Sequence, residues 1–335
     1  MIKYGMVGTG MMAHAHIDGL SANGTNNVSF IAVCGRNKEK CDAFASQYGL
    51  KAYYDFDQML KDDNIDAIDV CTPSFTHEQY AVSAAKARKH VLIEKPVAFT
   101  IEAAQNIYNA AEENNVKIMV AQLLRFWPEY VKIKELVDNG ILGDIITIYA
   151  ARLGQAPTWA DWYKYPEKSG ETLMNLTLHD IDYVHYLLGK AKSIYSAGAK
   201  DRYDSYNDVM NIIKFESGAN VLIDGSLTMT PGYPFSMHMR VLGSKATVEF
   251  SYKAGENLDA DSCKTSLILY LPEESGGKEI DYKKYDAYGL EVQYFADCIQ
   301  DGAEIDVVTK DSVLDVLRSI LKAKESLVTG KVYEL

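Results

Sequence analysis

Three groups of residues in this sequence carry chemistry in their types and spacing. The first is Gly8-Thr9-Gly10-Met11-Met12-Ala13, directly after the apolar run IKYGMV. In such a GxGxxA turn the first glycine permits a tight bend and the second lets a pyrophosphate approach the backbone. The small third residue lets helix and strand pack closely. A helix starting there offers free N–H groups and a partial positive charge to an anion. The second apolar run ends in Cys34-Gly35-Arg36-Asn37, where an acidic residue would take the ribose of NAD and a basic one the 2′-phosphate of NADP. No carboxylate stands there, and Arg36 can pair with a phosphate in a charge-assisted, bidentate way, so NADP is favoured over NAD. The alternative is that Arg36 stacks on adenine or faces water, leaving both cofactors usable.

The second group is Glu94-Lys95-Pro96 after the fifth apolar run. Pro96 pushes Lys95 away from helical geometry at the carboxyl end of a strand, the edge where open parallel sheets bind ligands. An ammonium there can hold a substrate hydroxyl and favour its alkoxide form; a solvated lysine is the plainer alternative. The third group lies on a predicted helix over 172–188, where Asn175, His179 and Asp182 fall at i, i+4 and i+7 and share one face. Met174, Leu178, Ile181 and Leu188 form the neighbouring apolar stripe. A polar face beside a buried seam suits the lining of a cleft, although a lone histidine there also fits a hydrogen-bonded core.

The elements that must position these groups follow from periodicity. Through residue 122, short β-branched runs (IKYGMV, VSFIAVC, AIDVCT, HVLIE, VKIMVA) alternate with helical stretches. That alternation predicts a doubly wound parallel sheet, a Rossmann domain over 1–122. Residues 123–335 read differently: a helix over 128–139, a strand over 145–153, an aromatic loop over 155–168, then the histidine helix. Runs such as KSIYSAGAK, DVMNIIKFES, SMHMRVLG and TSLILYL follow at hairpin spacing. They predict about six antiparallel strands with helices on one face. The tail is helical at 289–301 and 311–328 and can return to the first domain. The fold class is therefore α/β followed by α+β.

With 335 residues and 47% hydrophobic content, the chain has ample material for two cores. A formal net charge of -12 and the lack of a basic stripe exclude a nucleic-acid footprint. No apolar run reaches the roughly 18 residues of a membrane span, and the first strand begins too early for a signal peptide. The five cysteines, Cys34, Cys41, Cys71, Cys263 and Cys298, form no CxxC pair, and none stands at ligand spacing from a histidine. Reduced, mostly buried thiols in the cytoplasm are expected, and no metal site.

Taken together, these motifs resemble the glucose-fructose oxidoreductase, inositol dehydrogenase and MocA family. The resemblance runs along most of the chain: Gly8-Thr9-Gly10, Cys71-Thr72-Pro73 with His77, Glu94-Lys95-Pro96, Arg125-Phe126 with Pro128, and His179-Asp180-Ile181-Asp182. It is most like the inositol dehydrogenases, through LHDIDYVHYLL and Asp286-Ala287-Tyr288 with Glu291-Val292-Gln293. The resemblance implies that Lys95 and His179 are the catalytic pair, His179 as general base for a secondary alcohol. It also implies that Thr72, Pro73, His77 and Glu94 line the cofactor site, that Gln122 lies near the nicotinamide, and that Trp162 comes to the cleft mouth. Substrate contacts would fall at Arg125, Tyr163, Tyr233 and Tyr288, with specificity depending on the loops around Trp159, Trp162, Tyr163 and Tyr233.

One departure stands out. Many family members have an aspartate four residues before the histidine, where this chain has Asn175, and the glycine-rich entry to that helix reads Gly170-Glu171-Thr172. An amide offers the imidazole a dipole but no charge, so His179 should be a weaker base unless Asp180 or Asp182 substitutes. The leading reading is a dehydrogenase or reductase acting on a sugar, cyclitol or related polyol. The alternatives are a dinucleotide-sensing regulatory protein and an NAD-dependent glycosidase. The open face of the second sheet needs cover, which predicts a homodimer or homotetramer.

Overall fold

The computed structural model describes residues 1–25, 27–157, 161–254, 263–274 and 276–335. From the amino end the chain forms β1 (Ile2–Val7), α1 (Met11–Ala22), β2 (Val28–Cys34), α2 (Lys38–Tyr48), β3 (Lys51–Tyr53), α3 (Phe56–Leu60) and β4 (Ala67–Val70). It continues through α4 (His77–Lys86), β5 (His90–Glu94), α5 (Ile101–Asn114) and β6 (Ile118–Ala121). The six strands are parallel in the order β3-β2-β1-β4-β5-β6. The order reverses between β1 and β4, which makes the crevice beyond their carboxyl ends the ligand-binding edge of a doubly wound sheet. Every residue of β4 and β6 is buried, as the continuous apolar runs require of strands covered on both faces. Short polar residues start the helices: Asn37 accepts from the Lys40 amide, and Thr100 from that of Ala103.

The next stretch holds α6 (Pro128–Asp138), β7 (Ile145–Leu153), α7 (Pro166–Ser169), a π-helical turn (Leu173–Thr177) and α8 (Leu178–Leu188). The strands β8 (Ala191–Lys200), β9 (Tyr206–Phe215), β10 (Asn220–Ser226), β11 (Ser236–Gly243), β12 (Thr247–Lys253), β13 (Lys264–Tyr270) and β14 (Lys278–Glu279) follow. After α9 (Ala287–Gln300) and α10 (Lys310–Thr329) the chain ends in β15 (Tyr333–Glu334).

Among the described residues the second sheet has nine strands, in the order β14-β13-β12-β11-β7-β10-β9-β8-β15. It is antiparallel except where β7 and β10 run parallel. The six expected strands are there; β14 and β15, two residues each, are too short to show a period of two. In β9, Val209, Asn211, Ile213 and Phe215 are buried while Met210, Ile212 and Lys214 are exposed, the alternation of a sheet covered on one side. The covered side meets the π-helical turn, where a Cβ on Gly225 of β10 would strike the Thr177 methyl. It also meets α10, where the Ser196 amide donates to Ser326 Oγ at 2.8 Å.

Two compact units result, Met1–Trp127 with Lys284–Val313 and Pro128–Lys283 with Leu314–Leu335. The stretch 123–335 is thus not one continuous domain, because α9 belongs with the first sheet. It crosses α1 at Gly19 and Gly289, where a side chain on either would collide with the other's backbone. Asn23 and Asp286 exchange hydrogen bonds of 2.8 and 2.9 Å beside that crossing.

Candidate dinucleotide and substrate sites

At the carboxyl edge of the first sheet, Gly8 has φ +111°, and a Cβ there would run into the Cys71 carbonyl. Only glycine lets the turn after β1 lie on the loop after β4. Gly10 has no atom within 4 Å of where its Cβ would stand. It begins α1 with extended backbone, no side-chain cap and no acidic residue in the first turn. An uncapped, positively polarised helix end beside an open glycine is what a pyrophosphate needs, so the residues fit a dinucleotide. Thr9 lies over the Gly35 backbone, Met11 is exposed, and Met12 packs on the cluster of Met6, Val33 and Phe44. Arg36 is exposed beyond β2, and Asn37 beside it is occupied in capping α2.

Next along the edge come Cys71, buried, and Thr72 and Pro73, half-buried. His77 ties two loops together: Nδ1 is 2.7 Å from the Pro96 carbonyl and Nε2 3.0 Å from that of Thr72. Burial holds its imidazole below the ordinary value, against the pull of those carbonyls toward a protonated ring. Lys95 therefore sits between two pinned residues. On its other side Glu94, buried, accepts the Lys95 amide through Oε2 at 3.0 Å. Beyond β6, Gln122 is buried, and its Oε1 has no hydrogen bond among the described residues. Arg125 is buried and donates from Nη1 to the Val307 carbonyl at 2.6 Å and to Ser312 Oγ at 3.2 Å. That nitrogen anchors the tail of the unit, a structural use that the sequence did not show.

Beneath this edge lies a buried polar cluster that sequence reading missed. His16 of α1 points Nδ1 at Asp69 Oδ2 (2.7 Å), and its Nε2 lies 3.2 Å from Glu94 Oε1 and 3.7 Å from Glu291 Oε1. The 2.7 Å contact is a hydrogen bond. The contact to Glu94 is an ion pair off the N–H axis, since Nε2 has no aligned acceptor. The Tyr288 ring, expected at the substrate, stands 6.2 Å from the His16 ring. Cys71 Sγ is 3.7 Å from His16 Nδ1 and 3.4 Å from Asp69 Oδ1, a proximity that spacing along the sequence does not show. Each of His16, Asp69 and Cys71 offers a ligand atom, all within 4.8 Å of one another. Yet two ligands at about 2.1 Å around a tetrahedral ion stand roughly 3.4 Å apart, so the His16–Asp69 hydrogen bond leaves no room for one. The available signal was Asp69, a charge inside the apolar run AIDV.

Burial opposes charge on His16, but Asp69 outweighs it and holds the imidazole well above its ordinary value. Burial also works against ionised Glu94, where the contact and charge of His16 prevail and lower its carboxyl. For Glu291 burial outweighs the charge of His16, and with the nearby carboxylates of Glu94 and Asp69 it lifts the group well above its ordinary value.

In the second unit the predicted histidine helix is helical throughout but carries a π-helical turn at Leu173–Thr177. Asn175 lies in the π-helical turn, whereas His179 and Asp182 lie in α8, so the assumed i, i+4 relation of Asn175 to His179 is not that of one regular helix. His179 and Asp182, three apart, still share a face. Asn175 Nδ2 donates to the Glu171 carbonyl at 3.1 Å and to that of Ser169. Gly170 (φ +69°) and Glu171 (φ +61°) enter the turn in left-handed geometry. For glutamate this strain costs about 1–3 kcal/mol. It is offset by the Tyr206 amide, which donates to Glu171 Oε1 at 2.8 Å, and by Lys324, 3.5 Å from Oε2.

Asp180 is not at the service of His179, for Arg152 grips both its oxygens at 2.8 and 3.1 Å. Trp162 and Tyr163 stack at 4.2 Å on the short helical turn Asp161–Lys164. Tyr233 is half-buried on a loop held by Gln155, which donates to its carbonyl at 2.8 Å. Trp159 falls outside the described residues. None of the described helices is long and apolar enough to cross a membrane.

Comparison with known proteins agrees with this architecture. The family described as "Oxidoreductase family, NAD-binding Rossmann fold" matches residues 2–122, and the GFO/IDH/MocA C-terminal domain matches residues 130–249. An oxidoreductase of Formosa agariphila is 31% identical over 225 residues, covering 65% of this chain and 70% of the relative. The scyllo-inositol 2-dehydrogenase (NAD(+)) of Bacillus subtilis is 24% identical, covering 94% of this chain and 91% of its own. The crystal structure of aldose-aldose oxidoreductase from Caulobacter crescentus, complexed with glycerol, superposes with a TM-score of 0.86 at 22% identity, covering 100% of this chain and 99% of that one. The turn after β1, the lysine after β5 and the histidine of α8 thus stand in a chain that belongs to the GFO/IDH/MocA family of NAD-binding oxidoreductases.

Proposed function

We propose that the protein is an NAD(P)-dependent dehydrogenase or reductase acting on a CH–OH or carbonyl carbon of a sugar, cyclitol or related polyol. The observation that carries this reading is Lys95, pinned on both sides at the edge that also carries the open Gly10 turn. The bound nicotinamide would supply the hydride acceptor or donor. Gly8, Thr9, Gly10 and the first residues of α1, Met11 and Met12, would hold the pyrophosphate. Cys71, Thr72, Pro73, His77, Glu94, Gln122 and Trp162 would line the cofactor's path. Arg36 favours NADP over NAD, because no carboxylate competes beside it.

In this reading Lys95 orients the substrate oxygen and His179 takes its proton, with Asn175 as the residue that shapes the turn before it. Arg125, Tyr163, Tyr233 and Tyr288 would contact the substrate. The polyol class is supported by the inositol dehydrogenase among the relatives.

Two further proposals go with it. A cytoplasmic setting is supported by the buried thiols of Cys34, Cys41, Cys71 and Cys298. A homodimer or homotetramer is supported by the open sheet face, where Ile212, Leu222, Tyr149, Arg240, Glu249 and Ile268 are successive cross-strand partners in a row part apolar, part charged. Sedimentation of a monomer at micromolar concentration would remove the oligomer.

The test of function is a screen of inositols, aldoses and ketoses with NADPH and NADH, alongside Lys95→Ala. Turnover should vanish in the variant while dinucleotide still quenches or shifts fluorescence; turnover that persists sinks the assigned role.

A further inference from the structure

The buried cluster under β5 calls for an explanation that packing does not give. His16 is wholly buried on α1, and titratable groups of four other elements stand around it. These are Asp69 on β4, Cys71 after it, Glu94 at the end of β5, Tyr288 and Glu291 on α9, and Tyr4 on β1. A neutral imidazole is satisfied by one acceptor and one donor. Here each ring nitrogen faces a carboxylate, and the state that suits both is the doubly protonated ring. The other members stay neutral: burial pushes the Cys71 thiol and the Tyr4 and Tyr288 phenols up, and lifts Glu291 out of the ionised range. His16 thus stands between two carboxylates, Asp69 at 2.7 Å and Glu94 at 3.2 Å. Without it, Glu94 would be a buried carboxylate near Asp69 and Glu291 with no cation beneath it.

Glu94 is also the last residue of β5, and its other oxygen accepts the amide of Lys95. The residue after Lys95, Pro96, is held by His77. Fixing Glu94 and Pro96 fixes the backbone from which the lysine projects.

We propose that His16 is a positioning residue for Lys95: clamped between Asp69 and Glu94, it holds the carboxylate that receives the Lys95 amide and so sets where the ammonium stands. The proposal rests on the reading that Lys95 takes part in the reaction. Loss of the clamp leaves dinucleotide binding in place and misplaces one reacting group, an error that lowers kcat by up to about 100-fold.

The experiment uses the full-length protein with His16→Gln and, because that change is deep in the core, also Glu94→Gln, which keeps shape and removes the charge from the other end. Amide hydrogen exchange of the segment 94–97, followed by mass spectrometry without substrate, should rise about fivefold or more in either variant. The α5 segment should not change. With a polyol substrate, kcat should fall at least about tenfold in either variant, and in His16→Gln, which lies outside the binding residues, KM and the NADPH Kd should stay within about threefold. Unchanged exchange at 94–97 in a folded variant, or KM rising with kcat preserved, overturns the clamp. Wild-type protein that moves no hydride on any polyol overturns the functional reading instead, and the exchange measurement still decides the clamp.

Discussion

The side-chain amide of Asn175 donates to the carbonyl oxygen of Glu171, 3.1 Å away, and a second time to that of Ser169. Both acceptors are backbone oxygens of the chain that leads into the π-helical turn. A carboxylate would offer them no proton, so the amide at this position has a local structural use. Asn175→Asp should destabilise the protein by about 1–3 kcal/mol at neutral pH, as two buried carbonyls lose a donor and meet a negative charge. Urea unfolding monitored by tryptophan fluorescence checks this; a midpoint equal to wild type would show that the turn has another support.

The two glycines of the first turn should separate folding from binding. Gly8→Ala forces φ +111° on alanine and drives a methyl into the Cys71 carbonyl, at a cost of about 1–3 kcal/mol. Gly10→Ala meets nothing within 4 Å and keeps extended backbone, so its thermal midpoint should match wild type. Both should lose NADPH affinity by an order of magnitude or more, since a methyl at Gly10 stands where the pyrophosphate comes to the backbone. Equal midpoints for the two variants would contradict the assignment of Gly8 as the strained member.

Cofactor choice should be read from Arg36. If its guanidinium meets the 2′-phosphate, Arg36→Ala costs about 1.5–3 kcal/mol with NADPH, roughly 10- to 150-fold in Kd, and little with NADH. Parallel fluorescence titrations report the ratio. A variant that weakens both equally assigns Arg36 to the adenine.

Stability should fall as pH rises from neutral. His16 and Glu291 both have folded values above their ordinary 6.5 and 4.5. As pH rises through the ordinary values the unfolded chain releases these protons first, because both folded values are raised. The ion pair of His16 with Asp69 is then fully stabilising below pH 6.5 and is lost as pH climbs through the raised value. Protonated Glu291 becomes costlier to hold over the same range. Each group contributes a slope of up to about 1.4 kcal/mol per pH unit. Glu291→Gln mimics the neutral acid, so the decline with rising pH should be shallower in the variant than in wild type. Unfolding midpoints at pH 6.5 and 9 provide the check; an unchanged slope would mean that Glu291 is ionised in the fold.

Local rules made much of this molecule legible in its sequence. The βα alternation, the GxGxxA turn and the apolar runs determined the first sheet, because a strand buried on both faces must be apolar throughout and a phosphate-binding turn must be glycine. Lys95 was visible through the proline behind it, and the strands β8 to β13 through their turns and period of two. Three things were decided by the tertiary structure alone. The partner of α9 is α1, from the opposite end of the chain, and no local pattern names a partner across such a separation. The π-helical turn of the histidine helix at Leu173–Thr177 packs against Gly225, and Glu171 before it accepts from the Tyr206 amide, both from strands later in the sequence. The charged cluster draws His16, Asp69, Glu94 and Glu291 from four elements. Each looks like an isolated polar residue in its own segment, and only burial, which makes charge expensive and its pairing obligatory, turns them into one feature.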